Sequence, residues 1–182
     1  MLNVKHNDYT NQLVRLSAAL PPVTNKTVKL NQGTLSVDRN MDVDTLIFNG
    51  GSLKMNNKDL TNKVTIANDV TVGKGSTLSG NGMFEITNGS LTLENGSTLA
   101  VSTLKVEEEG LNVMNLITDV TTMAGSTIDL RASETDSDRI SIAGTLNLGN
   151  HTKLIIRNIS AGQEYEIISA DTIIGTPTLF TT

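Results

Sequence analysis

Cysteine and tryptophan are absent from the sequence, and aromatic residues make up only 3% of its 182 residues. Without cysteine the chain can form neither a disulfide framework nor a metal site with thiolate ligands, and the redox compartment stays open. With so few aromatic side chains, the interior has to be filled by aliphatic residues. Hydrophobic residues reach 37%, so length and composition predict one domain with a sizeable aliphatic core.

A large excess of charge and long apolar runs are also absent. The formal net charge is −5, and acidic and basic residues are interspersed, so we expect no nucleic-acid partner. No apolar run approaches the ~20 residues that span a bilayer, so we expect no membrane insertion. The N-terminal stretch MLNVKHNDYTNQLVRL lacks the continuous apolar region of a signal peptide, which indicates either use without Sec export or loss of a leader.

Glycine and proline are unevenly distributed along the chain. All 15 glycines lie at Gly33 or later, whereas two of the three prolines form the Pro21-Pro22 pair. This contrast predicts three parts: an N-terminal arm with a capping or anchoring helix over residues 1–26, a repetitive β-domain over residues 27–175, and a C-terminal tail over residues 176–182.

The first part is predicted to be an α-helix. Its apolar residues recur at spacings of four, three and four, which places them on one helical face, and the adjacent prolines end the helix. Such a helix either covers the open end of a β-structure or serves as an oligomerisation or anchoring surface. The residues predicted to form this surface are Tyr9, Leu13, Leu16 and Leu20. We expect a homo-oligomer, specifically a homotrimer, assembled with their help.

The second part reads as short β-strands with alternating apolar and polar residues. Glycine followed by Ser or Thr recurs at spacings of 18, 24, 21, 29 and 19 residues, near the period of a solenoid coil. We therefore predict a right-handed parallel β-helix (a β-solenoid) of roughly six or seven coils, with glycine at the corners and Leu, Val and Ile inside. The recurrent glycines are Gly33, Gly51, Gly75, Gly96, Gly125 and Gly144.

An antiparallel β-sandwich or meander is the alternative, because Asn-Gly between alternating runs is also a strong hairpin signal. It applies above all to residues 139–170. The parallel solenoid makes its own prediction for the core, in which the central apolar residue of each repeat is buried and its polar neighbours are exposed. The predicted core residues are Leu53, Leu78, Leu91, Leu99, Ile128 and Leu146.

The C-terminal stretch resembles the late passenger region of bacterial autotransporters. The resemblance rests on Ser137-Asp138-Arg139-Ile140, on the run Gly144 to Leu148 (GTLNL), and on the run Ala161 to Ile168 (AGQEYEII). Phage fibres and tailspikes show a similar pattern of short solenoid repeats, so the chain resembles them as well. The resemblance implies a β-solenoid surface or fibre protein and assigns no functional residue. Two departures from that family are expected from the 182 residues, because they show neither a leader nor a C-terminal membrane barrel.

Candidate chemistry is sparse. Solenoid glycosidases use paired carboxylates on neighbouring coils, so each acidic cluster is a candidate for that role. The clusters are Asp42 with Asp44, Glu107 to Glu109, and Glu134 and Asp136 with Asp138. Because the aromatic sugar-binding side chains typical of such enzymes are scarce, we interpret them as solvated turns and loops. The histidines, His6 and His151, stand alone in the sequence. We predict no catalytic residue, no cofactor and no metal site.

The sequence therefore favours a non-enzymatic structural or adhesive solenoid. The first hypothesis is a phage virion component, such as a head-fibre, decoration or tail-fibre subunit, with capsid or tail proteins or host surface glycans as partners. The alternative is a passenger segment of an autotransporter-like adhesin at the bacterial cell surface. A solenoid carbohydrate-active enzyme is the third and weakest hypothesis.

Overall fold

The structure is a computed structural model of the 182-residue chain. It describes residues 26–56, 61–101, 112–134 and 136–182, together with the backbone of two N-terminal strands. Every regular element within these residues is a β-strand. The strands are β1 Leu2–Val4, β2 Leu13–Leu16, β3 Thr27–Leu30, β4 Thr34–Val37, β5 Met41–Val43, β6 Thr45–Phe48, β7 Ser52–Asn56, β8 Lys63–Val72, β9 Thr77–Leu93, β10 Thr98–Ala100, β11 Val113–Thr122, β12 Thr127–Arg131, β13 Arg139–Leu148, β14 Lys153–Arg157, β15 Ile168–Ile174 and β16 Thr178–Thr181.

The ladders between these strands are all parallel. The antiparallel contact in the described residues is an isolated bridge between Ala132 and Ser137. The parallel β-solenoid predicted from the repeats is confirmed. The antiparallel alternative for residues 139–170 is wrong, because β13 pairs in parallel with β15, with Ile140 opposite Ile168.

The solenoid has three faces around its core. Each long strand bends at a corner and continues on the next face. Face A holds β2, β4, β7, the start of β9, β10, β12, β14 and β16. Face B holds β5, the start of β8, the middle of β9 and the first halves of β11, β13 and β15. Face C holds β1, β3, β6 and the remaining parts of β8, β9, β11, β13 and β15.

Face A stacks eight strands from β2 to β16, which is close to the six or seven coils expected. Face B stacks six described strands, and the first and last of them are about five turns apart. One column of stacked residues on this face marks them: Met41, Val64, Phe84, Leu116, Ile142 and Ala170. Along this column a turn takes about 26 residues on average, more than the ~22 indicated by the glycine spacing. The difference arises because connections of variable length are inserted at the corners.

The core is a set of aliphatic columns running through the stack. Face A shows the clearest column, and its inward positions are Leu35, Leu53, Leu78, Leu99, Ile128 and Leu154. All six predicted core residues are at most 1% exposed, so the predicted register is confirmed. Alternation along each strand, with one residue inside and the next outside, is what lets identical short sequences stack.

Two predictions for the chain ends are wrong. Leu13 and Leu16 lie in β2, which pairs in parallel with β4, so the helix predicted through them is not formed there. As a strand, residues 13–16 form hydrogen bonds with the backbone N–H and C=O groups on the edge of β4, which a helix at this position could not do. This tertiary pairing overrides the local helical preference. Tyr9 and Leu20 lie outside the described residues. At the other end, residues 176–182 are not a simple tail, because β16 pairs with β14 on face A.

Candidate interaction surface

Asp138, one of the candidate catalytic carboxylates, is a buried structural anion. Its side chain is 0% exposed and lies in the connection between β12 and β13. Oδ2 accepts hydrogen bonds from Arg131 Nε at 3.0 Å and Arg131 N at 3.1 Å. Oδ1 accepts from Asn112 N at 2.9 Å and Arg131 Nη2 at 3.3 Å. With four donors in place, this carboxylate holds two coils together rather than facing a substrate.

A buried polar column extends from this pair along the corner between faces A and B. Asn81 Nδ2 donates to Asn112 Oδ1 at 2.8 Å, and Asn112 in turn donates its backbone N–H to Asp138. Asn81 and Asn112 are 7% and 6% exposed. Side-chain amides stacked in this way satisfy one another without solvent, so the corner links three successive coils.

Asp136 lies only two residues away but faces solvent. Its Oδ1 accepts from Ser137 N at 2.8 Å and from Arg139 Nη2 at 2.9 Å. The Ser137 N–H, and after it the Arg139 guanidinium, hold the pKa of Asp136 below its ordinary value, despite some opposition from desolvation. A general acid in glycoside cleavage needs a raised pKa, so Asp136 has the opposite tuning. The structure does not bring Asp136 and Asp138 together as an acid and nucleophile pair.

The remaining carboxylate candidates are likewise engaged or outside the described part. Asp44 accepts a hydrogen bond from Lys26 N, and the Asp42 carbonyl accepts one from Lys26 Nζ at 2.9 Å. Both residues therefore tie β5 and the following corner to the preceding coil. Glu134 is exposed, and Glu107 to Glu109 lie outside the described residues.

His151 occupies a repeated turn position between faces C and A. Gly75, Gly96 and Gly125 hold this position in earlier coils with φ of 75°, 76° and 80°, and His151 holds it with φ of 64°. In each of these turns the next residue is Ser or Thr, and its backbone N–H donates to the carbonyl oxygen of the residue three positions earlier. An example is Ser126 N, which donates to Met123 O at 3.1 Å. His151 is thus a corner residue on the surface. Gly144, expected at the same corner, lies instead between faces B and C.

The residues of the autotransporter-like motif make structural contacts. Ser137 Oγ donates to the Glu166 carbonyl at 3.3 Å. Tyr165 Oη donates to the Ser133 carbonyl at 2.8 Å and accepts from Ser160 N at 3.2 Å. The motif therefore fastens the connection before β15 onto the previous coil. Beside it, face B carries a groove of about 230 Å³. Arg139, Glu166 and Val113 line it, together with apolar and serine residues at the start of β13 and around the start of β15.

The last coil exposes residues that would be core residues one coil earlier. On face A, Leu154 is 8% exposed and its partner Leu179 is 56% exposed. On face C, Leu146 is 1% exposed and its partner Ile173 is 51% exposed. Neighbouring outward positions add more apolar surface. We name the set the C-terminal patch: Ile173, Ile174, Leu179 and Phe180.

Sequence reasoning missed the C-terminal patch. Its signal was present as two apolar runs, ISADTII and TLFT, that follow the last recognised repeats. The sequence prediction places the first run inside the solenoid and the second in the C-terminal tail, so it gives no reason to expect an exposed coil. Contiguous exposed apolar surface of this kind marks an interaction site.

No protein-family model matches this chain, and comparison with curated proteins and with solved structures gave no match either. Within the described residues, no three His, Asp or Glu side chains come close enough together to hold a metal ion. The same residues include no helix of the length and apolarity that a membrane crossing requires.

Proposed function

We propose that this chain is a non-enzymatic structural or adhesive β-solenoid that works inside a larger assembly, in a virion as a fibre, tail-fibre or decoration subunit. The observation that carries the proposal is the C-terminal patch. Apolar side chains that lie in line with the core columns and yet face solvent are suited to contact with a further polypeptide segment.

The use of the carboxylates supports a non-enzymatic role. The carboxylate oxygens of Asp138 accept hydrogen bonds from Arg131 and Asn112. One carboxylate oxygen of Asp44 accepts a hydrogen bond from the backbone N–H of Lys26 in the preceding coil. Asp136 is held in the charged state by Ser137 and Arg139. Carboxylates that hold neighbouring coils together in this way stabilise the rod.

The test of this function measures binding and hydrolysis together. The full chain is incubated with a panel of labelled bacterial surface polysaccharides, and retention and reducing-end release are both recorded. We expect no oligosaccharide product, and any retention should be the same in an Asp136→Asn, Glu166→Gln double variant. A defined product released by the wild type and lost in that variant would overturn the proposal. Asp138 is left intact, because its removal would damage the fold.

A passenger-like segment of a bacterial surface adhesin is the second candidate, and the Ser137-Asp138 and Tyr165 contacts favour it because they are made by the motif that resembles that family. Antibodies against the chain separate the two settings. Immunogold labelling of phage particles supports the virion role, whereas labelling of the bacterial cell envelope in phage-free cultures supports the adhesin.

A further inference from the structure

We infer that the Asn88-Gly89 pair is a site of spontaneous modification, where the Asn88 amide is hydrolysed to a carboxylate while the other Asn-Gly pairs stay protected. The sequence contains four such pairs, and the other three begin at Asn49, Asn81 and Asn95. Asparagine is a thermolabile residue, and a following glycine has no side chain to shield its backbone nitrogen from the amide carbon. The inference goes beyond the proposed function and does not depend on it.

The reaction needs only the chain and water. The Gly89 backbone nitrogen attacks Cγ of Asn88, the Cγ–Nδ2 bond breaks, and Nδ2 leaves as ammonia with the proton that the attacking nitrogen gives up. Water then opens the cyclic imide at one of its two carbonyl carbons. Opening at one carbon leaves aspartate at position 88, and opening at the other leaves isoaspartate. Either product adds a negative charge to the corner between faces B and C.

The side-chain amide is restrained in two of the other pairs. Asn81 is 7% exposed, and its Nδ2 donates to Asn112 Oδ1 at 2.8 Å in the buried polar column. Asn49 Nδ2 donates to Asn31 Oδ1 of the preceding coil at 3.2 Å. An amide held in this way has to leave its partner before its carbon can be attacked, so both pairs should react slowly.

The attacking nitrogen is restrained in two pairs as well. Gly50 N donates to Ser76 Oγ at 3.0 Å, and Gly96 N donates to the Gly125 carbonyl at 3.0 Å. The Asn95 amide is also packed on the next coil, because its Oδ1 lies 2.8 Å from where a Cβ on Gly125 would stand. These contacts protect the pair at Asn95, although its side chain is exposed like that of Asn88.

Asn88 differs in both respects. It is exposed, and within the described part of the chain its side-chain amide makes no hydrogen bond. The pairing of β9 with β8 shifts register directly after it, so that Gly89 and Ser90 together stand opposite Asp69. Ser90 N donates to Asp69 Oδ1 at 2.8 Å instead of to a ladder carbonyl. Such a bulge interrupts the ladder and leaves its extra residue unpaired, which gives the backbone here more freedom to reach the imide geometry.

The experiment incubates the full 182-residue chain in warm, mildly alkaline buffer, below its unfolding transition, and follows each pair by digestion after glutamate and mass spectrometry. Glu85 and Glu94 bracket Asn88, so the peptide of residues 86–94 contains no other asparagine. We expect it to convert at least about tenfold faster than the peptides with Asn49, Asn81 or Asn95, because those pairs must first open locally. In guanidinium chloride, where the chain is unfolded, the four pairs should convert at similar rates.

A pair of matched variants tests the intact chain. Asn88→Gln keeps an exposed amide but moves it one methylene further away, which makes imide formation much slower. Asn95→Gln makes the same change at the other exposed amide. Ion-exchange chromatography after incubation should show a new acidic species in the wild type and in Asn95→Gln, and none over the same period in Asn88→Gln.

Two results overturn the inference. One is conversion of Asn88 in the folded chain that is no faster than conversion of the other three pairs, which would show that the bulge protects it as well as the turns protect them. The other is an acidic species that forms unchanged in Asn88→Gln. Both readouts are independent of glycan binding and hydrolysis, so failure here leaves the structural role standing.

Discussion

The interior coils and the last coil are built from the same kind of strand, yet they differ in what covers them. Leu154 and Leu179 are adjacent in one column of face A, and their exposed fractions are 8% and 56%. Each sits at the inward position of a short apolar strand. The strand pattern is therefore enough to place a side chain on the inner side of a coil, but the neighbouring coil decides whether that side chain is buried.

The same contrast separates charged residues. Asp138 lies beneath the connection to the next coil and is fully buried against Arg131, while Asp136 lies outside it with half of its side chain exposed. Because a solenoid gains its stability from nearest-neighbour contacts between coils, the same substitution should cost far more in a covered position than in an open one.

Asp138→Ala should give the largest loss of stability. The substitution leaves Arg131, whose side chain is 5% exposed, buried without its carboxylate. Breaking a buried ion pair from one side costs about 3–5 kcal/mol. Urea denaturation at pH 7 measures the free energy of unfolding. Asp136→Ala is the matched control, and it should cost less than about 1 kcal/mol because its ion pair is exposed. An equal loss of unfolding free energy in the two variants would show that burial of the carboxylate between coils does not matter.

Leu91→Ala tests the same contrast for an apolar residue. Leu91 is 0% exposed and stacks between Val70 and Val120, so truncation should leave a cavity and cost about 2–5 kcal/mol. Leu179→Ala, with the side chain more than half exposed, should cost less than about 1 kcal/mol in dilute solution. Thr92→Ala is the register control and should be mild. If Leu91→Ala and Thr92→Ala cost the same, the inward register of β9 is wrong.

Gly80→Ala tests how closely the coils approach. Gly80 has φ of 98°, and a Cβ there would lie 1.9 Å from the Met55 carbonyl oxygen of the preceding coil. Gly75 has φ of 75° and nothing within 4 Å of its Cβ position. Gly75→Ala should cost about 1–2 kcal/mol, for the backbone conformation alone. Gly80→Ala should cost a further 1–3 kcal/mol, for overpacking. Denaturation midpoints that do not separate the two variants would contradict this packing.

His151→Gly should stabilise the protein. His151 takes the left-handed turn position that glycine holds at Gly75, Gly96 and Gly125 in earlier coils. A non-glycine residue there costs about 1–2 kcal/mol, so glycine should raise the free energy of unfolding by about 1 kcal/mol after its own entropy loss. The thermal midpoint measures the gain. His151→Ala is the control, because it removes the imidazole and keeps the strained backbone, and it should give no gain.

The fold was largely predictable because alternation and corner spacing are properties of single strands. Leu53, Leu91 and Ile128 could be placed inside from their neighbours alone. The predicted N-terminal helix was wrong because the spacing of Leu13 and Leu16 fits a helix, whereas Val14 and Leu16 fit the alternation of a strand. Only pairing with the edge of β4 decides between the two, and it places Val14 and Leu16 opposite Leu35 and Val37.

The C-terminal patch could not be predicted by the same reasoning. The strand TLFT has the same alternating pattern as the other strands of face A. Its apolar side chains are exposed because, among the described residues, no further coil packs on it. The buried role of Asp138 was hidden for a related reason. Its partners Arg131 and Asn112 are separated from it by 7 and 26 residues, so only the stacking of coils brings the second of them close.

The smallest expected effect is the pH dependence contributed by Asp136. Its pKa is lowered in the folded protein, first by the Ser137 N–H and then by Arg139, so its charge stabilises the fold at pH values above the unfolded pKa of about 3.9. That stabilisation is lost as the pH falls through the lower, folded pKa. Asp136→Asn should therefore lower the free energy of unfolding at pH 6 and flatten its decline below pH 4. The effect should be only a few tenths of a kcal/mol, because exposed interactions are weak.

Arg139→Gln removes the ion pair and keeps the N–H donor. It should flatten the acid decline less than Asp136→Asn does, measured by urea denaturation from pH 2.5 to 6. If Arg139→Gln removes the whole Asp136 contribution, the guanidinium rather than the backbone holds the carboxylate charged.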